Sequence, residues 1–166
     1  MKTEIGIIAL VAVLVTAGCT ISTTPTGKSL AAAAPTSEWQ EDFGIAKRRL
    51  VATGRNPYFI LEPGFQLVYA SEDEKLIITV LNDTMDIAGV TTRVVEEREW
   101  KHGKLIEVSR NFLAMCKDTK DVFYFGEDVD MYDGQKITSH DGAWRAGVSN
   151  AKPGLLMPGS PRVGMK

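Results

Sequence analysis

The sequence predicts a mainly β fold, an antiparallel β-meander that can curve into a half-barrel, with one short helix near the N-terminus. Runs of strand-forming residues follow one another through residues 55–166, and the connections between them are short and polar. No helical pattern lies between these runs. Strands joined by such short turns run antiparallel, because a parallel connection needs a crossover of about a dozen residues or more.

Composition excludes several classes of protein. The 166 residues fit one domain, and the net charge of −2 argues against the basic surface of a nucleic-acid-binding protein. The hydrophobic share of 44% is too high for an intrinsically disordered chain. The two cysteines, Cys19 and Cys116, cannot form a disulfide framework, and with only two histidines they do not make a convincing zinc site.

Residues 1–18 are predicted to be an export signal. Lys2 precedes the uncharged apolar run 5–15, which is too short for a bilayer span of about 20 residues but fits the apolar region of a signal peptide. Small residues then precede Cys19, and this arrangement resembles a bacterial lipoprotein signal. The resemblance implies cleavage after residue 18 and lipidation of Cys19, which would hold the protein on a membrane. An ordinary signal peptide or a short core helix is the alternative.

The position of the cysteine also predicts a location and a tether. Thr20 rather than Asp follows Cys19, which by the same resemblance favours the outer membrane in a Gram-negative cell. Residues 19–36 are rich in Ser, Thr, Ala, Pro and Gly, so they are predicted to form the lipidated cysteine and a flexible tether. We therefore expect an exported lipoprotein of the cell envelope.

Residues 37–54 are predicted as a short helix. Ser37 can cap it and Gly54 can end it, and four apolar residues recur at helical spacing between them: Trp39, Phe43, Ala46 and Leu50. The alternative is an irregular arm that packs its two aromatic residues on the sheet.

The strands themselves are predicted from alternation and turn chemistry. The long hairpin across His102-Gly103-Lys104 is the most secure element. Its strands are expected to form a cross-strand charge lattice of six residues: Glu96, Glu97, Arg98, Glu99, Glu107 and Arg110. Alternation predicts one apolar face, which covers a single core, and one solvated face that includes Arg93. The predicted strands are 65–70, 75–81, 90–100, 105–116, 122–125, 129–132 and 136–139.

Four segments carry a resemblance to a known family: 56–69 (NPYFILEPGFQLVY), 87–100 (IAGVTTRVVEEREW), 123–136 (FYFGEDVDMYDGQK) and 142–159 (GAWRAGVSNAKPGLLMPG). They resemble a family of exported bacterial proteins, mostly uncharacterised lipoproteins with β-rich domains. The resemblance implies no activity, cofactor or catalytic residue. Its members continue past the Pro-x-Val-Gly stretch into further strands, so the chain is expected to be a C-terminally truncated member with an uncovered sheet edge.

Two clusters are candidate sites. Four aromatic residues of the predicted apolar face could hold an apolar ligand: Phe112, Phe123, Phe125 and Trp144. Four acidic residues could hold a divalent cation, since Asp128-x-Asp130 begins like a calcium loop: Glu127, Asp128, Asp130 and Asp133. The alternative for the acidic group is a solvated hairpin with an Asp133-Gly134 turn.

Neither remaining chemical motif supports catalysis. Ser139, His140 and Asp141 are consecutive, so their side chains point in different directions and cannot form a nucleophilic relay. Cys116 shares strand parity with buried residues and is expected to be a small core residue. We therefore expect no catalytic residue and no cofactor, and a binding or scaffolding module for an apolar ligand or an envelope protein. The alternative is an envelope hydrolase or a divalent-metal enzyme that uses the acidic group.

Overall fold

A computed structural model describes Gln40 and residues 42–165 of the chain. After a 3-10 turn at Ile45–Lys47, the regular structure of this part is β-strand. The strands are β1 (Leu50–Val51), β2 (Gly54–Asn56), β3 (Phe59–Leu61), β4 (Gln66–Ala70), β5 (Glu74–Ile87), β6 (Val90–Lys101), β7 (Lys104–Cys116), β8 (Val122–Asp133), β9 (Lys136–Ser139), β10 (Trp144–Arg145) and β11 (Gly154–Met157). Residues 1–18, and the tether 19–36 with Cys19, lie outside the described residues.

The predicted antiparallel meander is confirmed. Strands β4, β5, β6, β7 and β8 pair in sequence order, every pair is antiparallel, and the sheet does not close on itself. The outer edge of β8 pairs in turn with β9, β10 and β11, while β2 and β3 form a separate hairpin. The turn at His102-Gly103 has two residues with positive φ, 48° and 74°, the geometry of a tight two-residue hairpin.

One face of the sheet, which we call the phenylalanine face, carries Val94, Phe112, Ala114, Phe123 and Phe125. Their alignment follows from the register, in which Val94 pairs with Phe112 and Ala114 pairs with Phe123. All five are buried. The cover over them comes from the two ends of the described chain and includes Phe43, Ile45, Leu50, Trp144 and Leu155.

The opposite face, which we call the glutamate face, carries Val95, Leu113 and Met115 at the same end of the sheet and Glu97, Glu99 and Glu107 towards the other end. Leu61 of β3 covers the apolar part and is itself fully buried. The prediction of a single core on one apolar face is therefore wrong. Two apolar clusters lie on opposite faces, because both terminal arms and the β2–β3 hairpin cover this end of the sheet.

The predicted helix over 37–54 differs from the structure where the structure describes it. Within Gln40 and residues 42–54, the chain forms one 3-10 turn and then enters β1. Gly44 has a left-handed φ of 59° and Arg48 is extended, so regular helix is interrupted on both sides of the turn. Residues 37–39 and Glu41 lie outside the described part. Residues 42–51, which we call the N-terminal arm, instead pack Phe43 on the sheet, its ring centroid 6.0 Å from that of Phe123.

Two predicted strand boundaries are also corrected. The stretches 122–125 and 129–132 form one continuous strand, β8, because Gly126 is accommodated as a bulge opposite Phe112. Strand β5 runs on to Ile87 through a second irregularity between Val80 and Thr84. Among Gln40 and residues 42–165, no helix combines the length and apolarity needed to cross a membrane.

Candidate functional site

The buried apolar cluster on the phenylalanine face is called the phenylalanine core below. An open groove of about 880 Å³ lies beside it. The N-terminal arm forms one wall, the turn between β5 and β6 forms another, and Lys152 and Pro153 complete the rim. The largest apolar side chains that line it are Phe43, Ile45, Leu50, Val90 and Phe125. Its volume lies within the range of small-molecule binding sites, and both apolar and polar side chains line it.

Arg48 fixes the arm that forms the wall. Its Nε donates to the carbonyl oxygen of Phe43 at 2.7 Å, and its Nη1 donates to Asp121 Oδ2 at 3.0 Å. The guanidinium carbon also lies 4.9 Å from the ring centroid of Phe123, a cation–π contact. The arm is therefore attached at the turn between β7 and β8 and closes over the core in a defined position.

The rim of the groove is mostly basic. Lys47 and Lys152 are exposed, whereas Arg48 is half-buried and already paired with Asp121. Asp42 is the acidic residue among the lining side chains, and its Oδ1 accepts a hydrogen bond from the Gly44 amide at 2.8 Å. The two exposed lysines thus leave positive charge beside an apolar floor, an arrangement that suits an amphiphile with an anionic head.

Of the four predicted aromatic ligand residues, only Phe125 lines this groove, and three of the four are core. Phe112, Phe123 and Phe125 are at most 1% exposed, and of these only Phe125 lines the groove. Trp144 is half-buried and meets the ring of Tyr124 edge to face, with 5.2 Å between centroids. The sequence did not single out the N-terminal arm as a groove wall, because its apolar spacing predicts a helix.

The four predicted cation ligands are separated by the alternation of β8. Glu127 lies on the glutamate face, in register with Asn111, whereas Asp128 and Asp130 lie on the phenylalanine face, in register with Arg110 and Val108. Asp133 is exposed at the end of the strand. In the part of the chain that the structure describes, no group of three or more His, Cys, Asp and Glu side chains is arranged to hold a metal ion.

Asp128 and Asp130 already have cationic partners. Asp128 accepts two hydrogen bonds from Arg145, at 2.7 and 2.9 Å, and these bonds hold its pKa below the usual range. Asp130 lies 3.1 Å from Arg110 Nη1 and 3.0 Å from His140 Nδ1. Of the expected charge lattice, Glu96 forms ion pairs with Arg98 and Arg110 on the phenylalanine face.

The glutamate face has the opposite character. Glu97 packs near Glu99, Glu107 and Glu127, and burial together with their negative charge raises its pKa to about 7. Burial also raises the pKa of each of the other three. Glu97 and Glu99 alternate with Arg98 in the sequence, so they lie on the face opposite to Arg98. The predicted charge lattice nevertheless combines residues of both faces.

Ser139, His140 and Asp141 do not assemble a relay. His140 Nδ1 donates to the carbonyl oxygen of Val129 at 2.7 Å, and Ser139 Oγ accepts from the amide of Asp141 at 2.9 Å. Cys116 is 2% exposed and packs in the phenylalanine core, which confirms its predicted burial.

Comparisons with protein-family models, curated proteins and solved structures found no match to this chain.

Proposed function

We propose that this chain is a membrane-anchored lipoprotein of the cell envelope whose β domain binds an amphiphile, without catalysis. The observation that carries the binding proposal is the groove beside the phenylalanine core. Its base is built from Phe43, Ile45, Leu50, Val90 and Phe125, which suits an alkyl chain. The anchoring proposal rests on the apolar run 5–15 followed by Cys19.

The rim favours a ligand with an anionic head group. Lys47 and Lys152 flank the groove and are exposed, so an acidic head can meet positive charge while its chain contacts the apolar base. Contacts between the alkyl chain of the ligand and the apolar base would supply most of the binding affinity, at about 0.8 kcal/mol for each buried methylene. Fatty acids and acidic phospholipids share this chemistry.

The binding proposal is tested with a fluorescent fatty acid and the purified full chain in solution. We expect the double variant Lys47→Glu and Lys152→Glu to weaken binding about tenfold or more, because two attractive charges become repulsive. The matched control is Lys104→Glu with Lys136→Glu, which makes the same charge change on exposed lysines that do not line the groove.

The apolar base is tested with Ile45→Glu, which places a carboxylate against the alkyl chain of the ligand. Val148→Glu is the control, because Val148 is 60% exposed and does not line the groove. We expect the first variant to abolish binding and the second to leave it unchanged. If the double lysine variant of the groove and Ile45→Glu both bound the fatty acid as tightly as wild type, the proposed ligand site would be wrong.

The anchoring proposal is tested by mass spectrometry and membrane fractionation of wild type and Cys19→Ala. We expect wild type to carry an acyl mass on Cys19 and to sediment with membranes. The Cys19→Ala variant would lack that mass and lose its membrane association. An unmodified wild type, fractionating like the variant, would reject lipidation while leaving the groove proposal standing.

A further inference from the structure

The two edges of the sheet are treated differently in this fold. The outer edge of β8 pairs with three short strands, β9, β10 and β11. At the other edge, β4 pairs only with β5 among the strands of the described chain, and all five of its residues are exposed. Leu67, Val68 and Tyr69 are 36%, 56% and 53% exposed. An apolar edge of this kind is a template for pairing with another strand.

The hydrogen bonds around β4 define which of its backbone groups are free. The amide of Ser71 donates to the carbonyl oxygen of Glu74, and the amide of Val80 donates to that of Phe65. The backbone hydrogen-bonding groups of residues 65 and 71 therefore point towards β5. Because this direction alternates along an antiparallel strand, the groups of residues 67 and 69 point towards β5 as well. The N–H and C=O groups of Gln66, Val68 and Ala70 consequently point away from the sheet.

Nothing within β4 protects this edge. Gln66–Ala70 contains no charged residue and no proline, and its register with β5 is regular, without a bulge. Charged residues, proline and bulges are the devices with which natural sheets block edge pairing. Of the acidic residues that follow β4, Asp73 contacts His102 and Glu74 contacts Lys101, each at 3.1 Å, and Glu72 is exposed.

The strand is complementary to itself. An antiparallel copy centred on Val68 would pair Gln66 with Ala70, Leu67 with Tyr69 and Val68 with Val68. The outward-facing residues then form three hydrogen-bonded pairs, each exchanging two N–H···O=C bonds. On one face Leu67 would pack against Tyr69 of the copy, and on the other the two Val68 side chains would meet. This two-fold pairing closes on itself, because it uses the outer edge of β4 in both copies.

We propose that the chain forms a symmetric homodimer by antiparallel pairing of β4 with β4 of a second copy, which joins two sheets into one. The proposal is independent of the groove and of Cys19. Five residues bury less than the roughly 800 Å² per partner of a standard interface, so the dimer would be weak and concentration-dependent.

Oxidative cross-linking of Val68→Cys in the full chain, in the cells that express it, tests this pairing. Opposed residues of a hydrogen-bonded pair lie about 5.5 Å apart between Cα atoms, within disulfide reach. We expect a disulfide-linked dimer joined at position 68. Wild type controls for the natural cysteines, and Lys136→Cys on exposed β9 controls for random collision.

Ala70→Pro in the Val68→Cys background provides the second arm. Proline removes an outward-facing N–H, which an edge strand tolerates, so the monomer fold remains while the pairing is lost. We expect about tenfold less cross-linked dimer with an unchanged circular-dichroism spectrum. Three outcomes would overturn the proposal: cross-linking no greater than in Lys136→Cys, no effect of Ala70→Pro, or an introduced thiol at position 68 that stays unlinked because another protein or another segment of the chain covers it.

Discussion

Asn56 joins three segments that are distant in the sequence. Its side chain is 3% exposed, and its Nδ2 donates to the carbonyl oxygens of Lys120 at 2.8 Å and Pro158 at 3.1 Å. Its Oδ1 accepts from the amide of Tyr58 at 2.8 Å. One amide thus connects the β2–β3 turn, the β7–β8 turn and the segment after β11.

We expect Asn56→Ala to lower the free energy of unfolding by about 2–4 kcal/mol, because it removes three hydrogen bonds that a buried side chain makes. Urea denaturation measures this loss. Gln135→Ala is the control, since Gln135 is exposed in the β8–β9 turn and should change stability by less than about 0.5 kcal/mol. Similar unfolding midpoints for the two variants would contradict this role of Asn56.

The sequence identifies Asn56-Pro57 only as a turn signal, because its partners are 64 and 102 residues away. Arg93 demonstrates the same limit. Alternation places it on a solvated face, yet it is 8% exposed and donates to backbone carbonyls of Ala52 and Asn82, each at 2.8 Å. The burial of both residues depends on arms and hairpins whose packing no local pattern specifies.

At the scale of elements, local chemistry is sufficient to predict the hairpins and insufficient to predict the bulges. The turn at His102-Gly103 can be recognised from the sequence because a tight hairpin needs two consecutive residues with positive φ, and few residue types adopt that conformation readily. Gly126-Glu127-Asp128 is also short, polar and glycine-containing, yet it lies inside β8, where Gly126 has a φ of 131°. The sequence alone cannot distinguish a glycine that ends a strand from one that lets it continue.

The bulge at Gly126 makes a prediction about stability. A Cβ at this position would clash with the carbonyl oxygen of Trp144 and lie 2.8 Å from the Cα of Arg145, and the backbone of β10 cannot move without leaving β8. We expect Gly126→Ala to cost about 3 kcal/mol or more, from this clash and from the unfavourable φ. Thermal unfolding measures the loss.

Gly154→Ala is the matched control, because a Cβ at Gly154 meets nothing within 4 Å. We expect it to change the melting temperature little or to raise it slightly, since alanine restricts the unfolded chain more than glycine does. If both variants melted at the temperature of wild type, the bulge would not be the constraint that keeps β8 continuous.

At the scale of the whole molecule, the two faces of the sheet carry charge in opposite ways. Asp128 is paired with Arg145 on the phenylalanine face, so its lowered pKa stabilises the fold above about pH 3.8 and this stability is lost as pH falls. Glu97 on the glutamate face has a raised pKa, so the folded state binds its proton more tightly than the unfolded state. The charged form of Glu97 therefore destabilises the fold.

The opposite signs predict a stability maximum in mildly acidic solution. Between the ordinary glutamate pKa of 4.5 and the value of about 7 for Glu97, the free energy of unfolding should fall as pH rises. The raised pKa values of Glu99, Glu107 and Glu127 act in the same direction. Urea denaturation across pH 4–8 measures the profile, and stability that rises steadily from pH 5 to pH 8 would refute it.

Glu97→Gln isolates the main contributor to this fall. At pH 8 we expect the variant to be more stable than wild type by about 2 kcal/mol, because an amide avoids the cost of a buried charge facing three other carboxylates. Near pH 4 the difference should vanish, since the carboxyl group is then largely protonated in both the folded and unfolded states. Glu72→Gln, in the exposed turn before β5, removes the same charge and should reproduce neither the gain at pH 8 nor its dependence on pH.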